Sequence, residues 1–128
     1  MASSSLRVLY IGGTGTISAA CVRRSLALGH EVTVLNRGRS TTRSVPEGVG
    51  VLTADVAEPG ALGAALAGST FDAVVDFLSF TPEDCREAMA AVRGRTGQYV
   101  QISSASVYDR TRARLPVVES SPRGNRWS

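Results

Sequence analysis

Val8-Leu9-Tyr10-Ile11-Gly12-Gly13-Thr14-Gly15-Thr16-Ile17-Ser18 is the stretch that decides the reading of this chain. An apolar run with β-branched residues passes directly into a glycine-rich turn and then into a segment with helical spacing. Glycines let a backbone turn sharply and approach a phosphate closely. The start of the following helix adds N–H groups with no intrahelical partner and the positive end of the dipole. Such a start suits a dinucleotide and predicts a parallel sheet.

Working outward, Leu6–Ile11 reads as the first strand. Thr16–Leu28 reads as an amphipathic helix with Ile17, Ala20, Cys21, Leu26 and Leu28 facing inward and Arg23 and Arg24 facing water, stopped by Gly29. Glu31–Asn36 is a second strand and Val49–Ala54 a third, joined by a polar, turn-rich surface connection over 40–50. Pro59 opens a helix with Leu62, Ala65 and Leu66 on its apolar face. Phe71–Phe80 reads as a fourth strand with Ala73-Val74-Val75 as its buried run. A helix opened by Pro82-Glu83-Asp84 carries Cys85, Ala88, Met89 and Val92 and stops at Gly94, and Gln98–Ile102 makes a fifth strand. Five strands alternating with four helices predict an α/β, doubly wound (Rossmann) parallel sheet of order 3-2-1-4-5 with helices on both faces. Ligand then belongs at the carboxyl ends of strands one and four. The predicted division is a dinucleotide-binding domain over 1–109 and an irregular segment over 110–128.

Where the second strand ends, such a fold selects its cofactor. An acid there bonds the adenosine ribose hydroxyls, whereas an arginine accommodates a 2'-phosphate. Asn36 replaces the acid and Arg37 follows it, which favours NADP over NAD; the alternative is that Arg37 and Arg39 are solvated loop charges. Asp55-Val56, at the end of the third strand, can bond the adenine amine, cap the next helix, or do both. Asp76, inside an apolar strand, needs a partner that the sequence does not name. His30 sits in a turn at the opposite end of the sheet and reads as a polar turn residue.

Composition narrows the classes. The 128 residues suffice for one domain, 43% hydrophobic and 20% charged, with a net charge of +3. All 14 basic residues are arginine, so no lysine can take part in any chemistry. Arg110, Arg112, Arg114, Arg123 and Arg126 weight the tail, but no basic stripe with interleaved aromatics occurs, which argues against nucleic acid. Cys21 and Cys85 lack metal-ligand spacing, so no metal is expected, and reduced thiols fit a cytoplasmic setting. No signal-peptide pattern or bilayer-length apolar run occurs, so a soluble protein with no membrane partner is expected.

Gly12-Gly13-Thr14-Gly15-Thr16-Ile17-Ser18 resembles the Gly-x-x-Gly-x-x-Gly turn of the extended and atypical short-chain dehydrogenase/reductases, the NAD-dependent epimerase/dehydratase family, with Ser18 in place of the third glycine. Gly29-His30-Glu31-Val32-Thr33-Val34-Leu35-Asn36-Arg37-Gly38, Asp55-Val56 and Ser103-Ser104-Ala105-Ser106-Val107-Tyr108 match the same pattern in order, over essentially the whole chain. The resemblance implies an NAD(P)-dependent epimerase, dehydratase or reductase acting on a nucleotide-sugar or similar carbonyl or alcohol. Gly12, Gly13, Thr14, Gly15, Thr16, Ile17, Asn36, Arg37, Asp55, Val56 and Ser103 would hold the cofactor, and Ser104 would be the catalytic hydroxyl. The general acid of that family is a Tyr in Tyr-x-x-x-Lys, which this sequence lacks. The family's spacing places that Tyr about where Ser128 ends the chain, and Val118-Glu119-Ser120-Ser121-Pro122 and Asn125-Arg126-Trp127-Ser128 resemble the segment leading into it. The expectation is therefore an N-terminal part of such an enzyme, inactive alone, and homo-oligomeric or paired with the remaining part. A non-catalytic module that binds NADP(H), or RNA as in the atypical branch, is the alternative.

Overall fold

The computed structural model describes residues 4–39 and 44–124. Its elements are β1 (Arg7–Ile11), α1 (Thr16–Ala27), β2 (Glu31–Asn36), β3 (Gly50–Thr53), α2 (Ala61–Ala65), β4 (Phe71–Asp76), α3 (Pro82–Val92) and β5 (Thr96–Gln101), followed by a 3-10 turn over Ala105–Val107. The five strands form one parallel sheet in the order β3-β2-β1-β4-β5, as expected.

β1 is central because it is apolar on both faces. Leu9 and Ile11 join Leu35, Leu62, Leu66, Val74, Ala88 and Val92 under α2 and α3. Val8 and Tyr10 join Val22, Val32 and Val34 under α1 on the other face. A strand buried on both sides needs no polar alternation, which is why β1 reads as a continuous apolar run and β2 departs from one only at Thr33. The register sets Ile11 beside Leu35 on one flank and Asp76 on the other, so the ends of β1, β2 and β4 open together above the sheet.

Several expectations need correction. Three α-helices stand between the strands among the described residues, not four. The described part of the β2–β3 connection has no helix, in keeping with its polar, glycine- and proline-containing sequence; 40–43 lie outside the described residues. The buried face of α1 is Ser18, Val22 and Ser25, with Cys21 and Leu26 half-buried, whereas Ile17, Ala20 and Leu28 are exposed. Two serines can line that face because each has a partner. Ser18 accepts the Gly15 N–H, and the Ser25 hydroxyl lies 2.7 Å from the Tyr10 hydroxyl. β3 is shorter than expected, and β5 starts two residues earlier. β4 stops at Asp76 because that carboxylate captures the N–H groups of Leu78 and Ser79 and bends the chain. Pro59 precedes α2, whose N-cap is Gly60 at φ +78°, so Asp55 does not cap that helix. Asp55 instead accepts the Ala57 N–H in a local turn.

Past β5 the described tail has no strand or α-helix. It folds back through an antiparallel bridge between Tyr108 and Arg123, with the Asp109 N–H bonded to Pro122 and the Gly124 N–H to Val107. Asn125, Arg126, Trp127 and Ser128 lie outside the described residues. No described helix is long and apolar enough to cross a membrane.

Candidate cofactor site

The turn after β1 is shaped by its neighbours. Gly12 has φ +87°, a conformation that side chains other than glycine's rarely adopt, and a Cβ there would lie 2.7 Å from Leu78 Cγ. Gly13 has an ordinary φ but no room: its Cβ would stand 2.4 Å from Val34 Cγ1 on β2. The Gly12 N–H bonds the Leu35 carbonyl at 2.8 Å, holding the turn against β2. Gly15 is the N-cap of α1, and Ser18 Oγ accepts its N–H at 2.9 Å. Ser18 is 2% exposed, so the serine that replaces the third glycine both fits between helix and sheet and accepts the Gly15 N–H at the head of the helix.

A cleft of about 480 Å³ opens at this turn. Gly12, Thr14 and Gly15 form one wall, Asn36, Arg37, Gly38 and Arg39 another, and Phe77 and Leu78 the side under β4. No lining residue is acidic. A smaller pocket of about 200 Å³ adjoins it, lined by the apolar Val56, Leu62, Phe80 and Ala88 together with Asp76, Asp84 and Glu87; Leu78 belongs to both.

The expected residues separate into three groups. Gly12, Thr14, Gly15, Asn36 and Arg37 are gathered on the larger cleft. Gly13 lies behind the turn, while Thr16 and the 67%-exposed Ile17 stand at the start of α1, outside that cleft's lining. Val56 lines the adjoining pocket, whereas Asp55, its neighbour in the chain, does not. Ser103 and Ser104 are exposed past the end of β5 and line neither cavity. The Ser104 hydroxyl accepts the Ser106 N–H at 3.1 Å, capping the 3-10 turn.

Sequence reading did not pick out Phe77 and Leu78 as cleft residues. Their signal was their place just past β4, the strand next to β1. The missing partners of Asp76 are also explained. Leu78 and Ser79 donate backbone N–H groups at 2.8 and 3.1 Å, and the hydroxyls of Ser79 and Tyr99 donate at 2.5 and 2.7 Å. This carboxylate, 1% exposed, holds the floor of the cleft in place. His30 sits at the opposite end of the sheet, where its Nδ1 accepts the Leu6 N–H.

The chemistry of the turn fits a pyrophosphate: close backbone approach, a helix start and no nearby carboxylate. A family model described as NAD(P)H-binding matches residues 12–125. The chain belongs to the NAD(P)H-binding family. It is similar to the 2'-dehydrokanamycin reductase of Streptomyces kanamyceticus, 35% identical over 103 residues, covering 79% of this chain and 28% of the reductase. Among solved structures, a UDP-galactose 4-epimerase shares the fold at TM-score 0.76 and 21% identity, over 93% of this chain and 45% of the epimerase. The Bordetella bronchiseptica enzyme WbmG, crystallised with NAD, matches at TM-score 0.72 and 23% identity, over 96% of this chain and 45% of its own. The chain thus spans about a quarter of the reductase and less than half of either structure. For this NAD(P)H-binding chain, fold and family agree with the resemblance drawn from its motifs.

Proposed function

We propose that this chain is the NADP-binding part of a reductase, epimerase or dehydratase whose substrate is a nucleotide-sugar or a similar carbonyl or alcohol. The observation that carries the reading is the larger cleft, with its glycine turn and helix start at one wall and two arginines, but no acid, at the other. Backbone N–H groups of the turn and helix start other than those of Gly12 and Gly15, which are bonded to Leu35 and Ser18, would hold the pyrophosphate, and Arg37 the ribose 2'-phosphate. The pocket at Val56 would take the adenine, with the Asp55 carboxylate, just outside its lining, turning to bond the amine. When bound, the cofactor supplies or removes a hydride at a substrate carbon.

Ser103 is proposed to border the nicotinamide end. Ser104 would turn its hydroxyl proton, which it donates to Ser106 Oγ at 3.2 Å, toward the substrate oxygen instead, while still accepting the Ser106 N–H. The three tyrosines do not supply a general acid of the family type. Tyr10 is engaged with Ser25 inside the sheet, Tyr99 is bonded to Asp76, and Tyr108 has no lysine four positions on. The 128 residues are therefore proposed to bind cofactor without turning substrate over. The reductase activity of the Streptomyces relative and the UDP bound by WbmG in a second crystal structure support the substrate class.

Calorimetric titration with NADP⁺ and NAD⁺ tests the reading. NADP⁺ binding at least tenfold tighter is expected; equal affinities, or a preference for NAD⁺, would overturn the NADP assignment, and no heat from either would overturn cofactor binding itself.

A further inference from the structure

We infer that Gln101 is a positioning residue whose carboxamide fastens the turn bearing Ser103 and Ser104 to the wall of the cofactor cleft. The inference rests on the place proposed above for Ser103 at the nicotinamide end, and it names the side chain that sets that place.

Gln101 ends β5, the outer strand, in register with Asp76 at the end of β4. Its amide N–H groups reach two carbonyls on different segments. One belongs to Ser79, next to the cleft residue Leu78, at 2.9 Å; the other belongs to Ile102, just before Ser103, at 3.2 Å. The backbone adds a parallel tie, the Ile102 N–H bonded to the Asp76 carbonyl at 3.0 Å. Beyond it, among the described residues, no hydrogen bond joins Ser103 or Ser104 to that wall, and Ser104 bonds only forward in the chain, to Ser106 and Val107. The place of the turn is therefore decided at residues 101 and 102.

The carboxamide acts through its donors. Its oxygen accepts the Tyr99 hydroxyl at 2.8 Å, but that hydroxyl has one proton and also faces the Asp76 carboxylate at 2.7 Å, which as the charged acceptor takes the larger share. A glutamate at this position would have the same reach and no N–H, and would set an anion against both carbonyls and close to Asp76. Ser79 does not depend on Gln101, since Asp76 holds its N–H and its hydroxyl at 3.1 and 2.5 Å. Losing the Gln101 donors thus frees the turn while the wall stays in place. A freed turn has to be ordered when ligand binds, which lowers affinity for the part of the ligand that touches it.

Calorimetry on the full chain with NADP⁺ and 2'-phospho-ADP-ribose, which differ only in the nicotinamide, tests this. Wild type should bind NADP⁺ more tightly by about fivefold or more. Gln101→Met, similar in length but without donors, and Gln101→Glu should each cut that ratio by about threefold or more and leave 2'-phospho-ADP-ribose within about twofold. A merely structural role would weaken both ligands alike. In amide NMR spectra, NADP⁺ but not 2'-phospho-ADP-ribose should move the Ser103 and Ser104 signals of wild type, and should no longer move them in Gln101→Met. Wild type that binds neither ligand overturns the cofactor reading itself. Equal wild-type affinities, serine signals indifferent to NADP⁺, a ratio that survives in either variant, parallel losses of both ligands, or variants that lose the fold overturn this inference and leave cofactor binding intact.

Discussion

The Tyr99 hydroxyl of β5 donates to the Asp76 carboxylate of β4 across 2.7 Å, tying the outer strand to the strand that floors the cleft. Burial, and secondarily the bond and charge of Asp76, push the Tyr99 phenol well above its ordinary value near 10. A phenol raised on folding favours the neutral form in the native state. Its stabilising contribution is complete below pH 10 and is lost as pH climbs past 10 toward the raised folded value. Tyr99→Phe should cost about 1–3 kcal/mol at neutral pH, because a buried carboxylate loses a donor, and should lessen the alkaline loss of stability. Urea unfolding of both proteins between pH 7 and 11 checks this; parallel pH profiles would count against it.

Gly13 and Gly63 should respond to alanine with opposite signs. A Cβ on Gly13 would meet Val34 Cγ1 at 2.4 Å in the middle of the sheet, so Gly13→Ala should destabilise by about 1–3 kcal/mol through overpacking and weaken cofactor binding. Gly63 lies within α2 with nothing inside 4 Å of its Cβ position, so Gly63→Ala should stabilise by about 0.5–1 kcal/mol. Denaturant midpoints decide the matter, and equal effects would contradict the packing described here.

These residues also show what the sequence could reveal. The strand order was legible because β1 holds an unbroken apolar run and β2 one interrupted only by Thr33, both bounded by glycines, a pattern that suits a parallel sheet covered on two sides. The wall of the cleft at Asn36 and Arg37 was legible because it follows directly from the end of β2. The inward face of α1 was not, since periodicity assumes that apolar residues point in, while Ser18 and Ser25 point in here with partners on the preceding turn and on β1. The partners of Asp76 were hidden for a related reason. Tyr99 is 23 positions away and reaches the carboxylate only once β4 and β5 pair with Val74 beside Tyr99. Local pattern sets elements, and the register between them sets polar partners.

The start of α3 should fail in acid. Thr81 Oγ1 accepts the Asp84 N–H at 3.1 Å, and the Asp84 carboxylate accepts the N–H groups of Thr81 and Phe80 at 2.9 and 3.0 Å. Those backbone donors, Thr81 first, hold Asp84 below its ordinary value of 3.8. A carboxylate lowered on folding contributes stability above about that ordinary value and loses it as pH falls through the folded one. Thr81→Ala should cost about 1 kcal/mol at pH 7. Asp84→Asn should remove part of the acid dependence below pH 4, as read from thermal midpoints between pH 2.5 and 7; an unchanged acid limb would exclude the cap as its source.

Ser18 gives the sharpest test of why the third glycine of the motif is replaceable. Its 2% exposure leaves space for little more than a hydroxymethyl group, and its hydroxyl oxygen is the acceptor for the Gly15 N–H at the head of α1. Ser18→Ala removes only the hydroxyl and with it the bond to the Gly15 N–H, at a cost of about 1 kcal/mol. Ser18→Gly loses the same bond and adds the entropic cost of glycine in a helix, about 1 kcal/mol more. Ser18→Val puts two methyl groups where one hydroxyl stood and should be the worst of the three, with cofactor affinity falling as α1 is pushed off the glycine turn. The expected order of stability is therefore serine, alanine, glycine, valine. Should glycine equal or exceed serine, close packing alone would account for the position, and the bond to Gly15 would carry no weight.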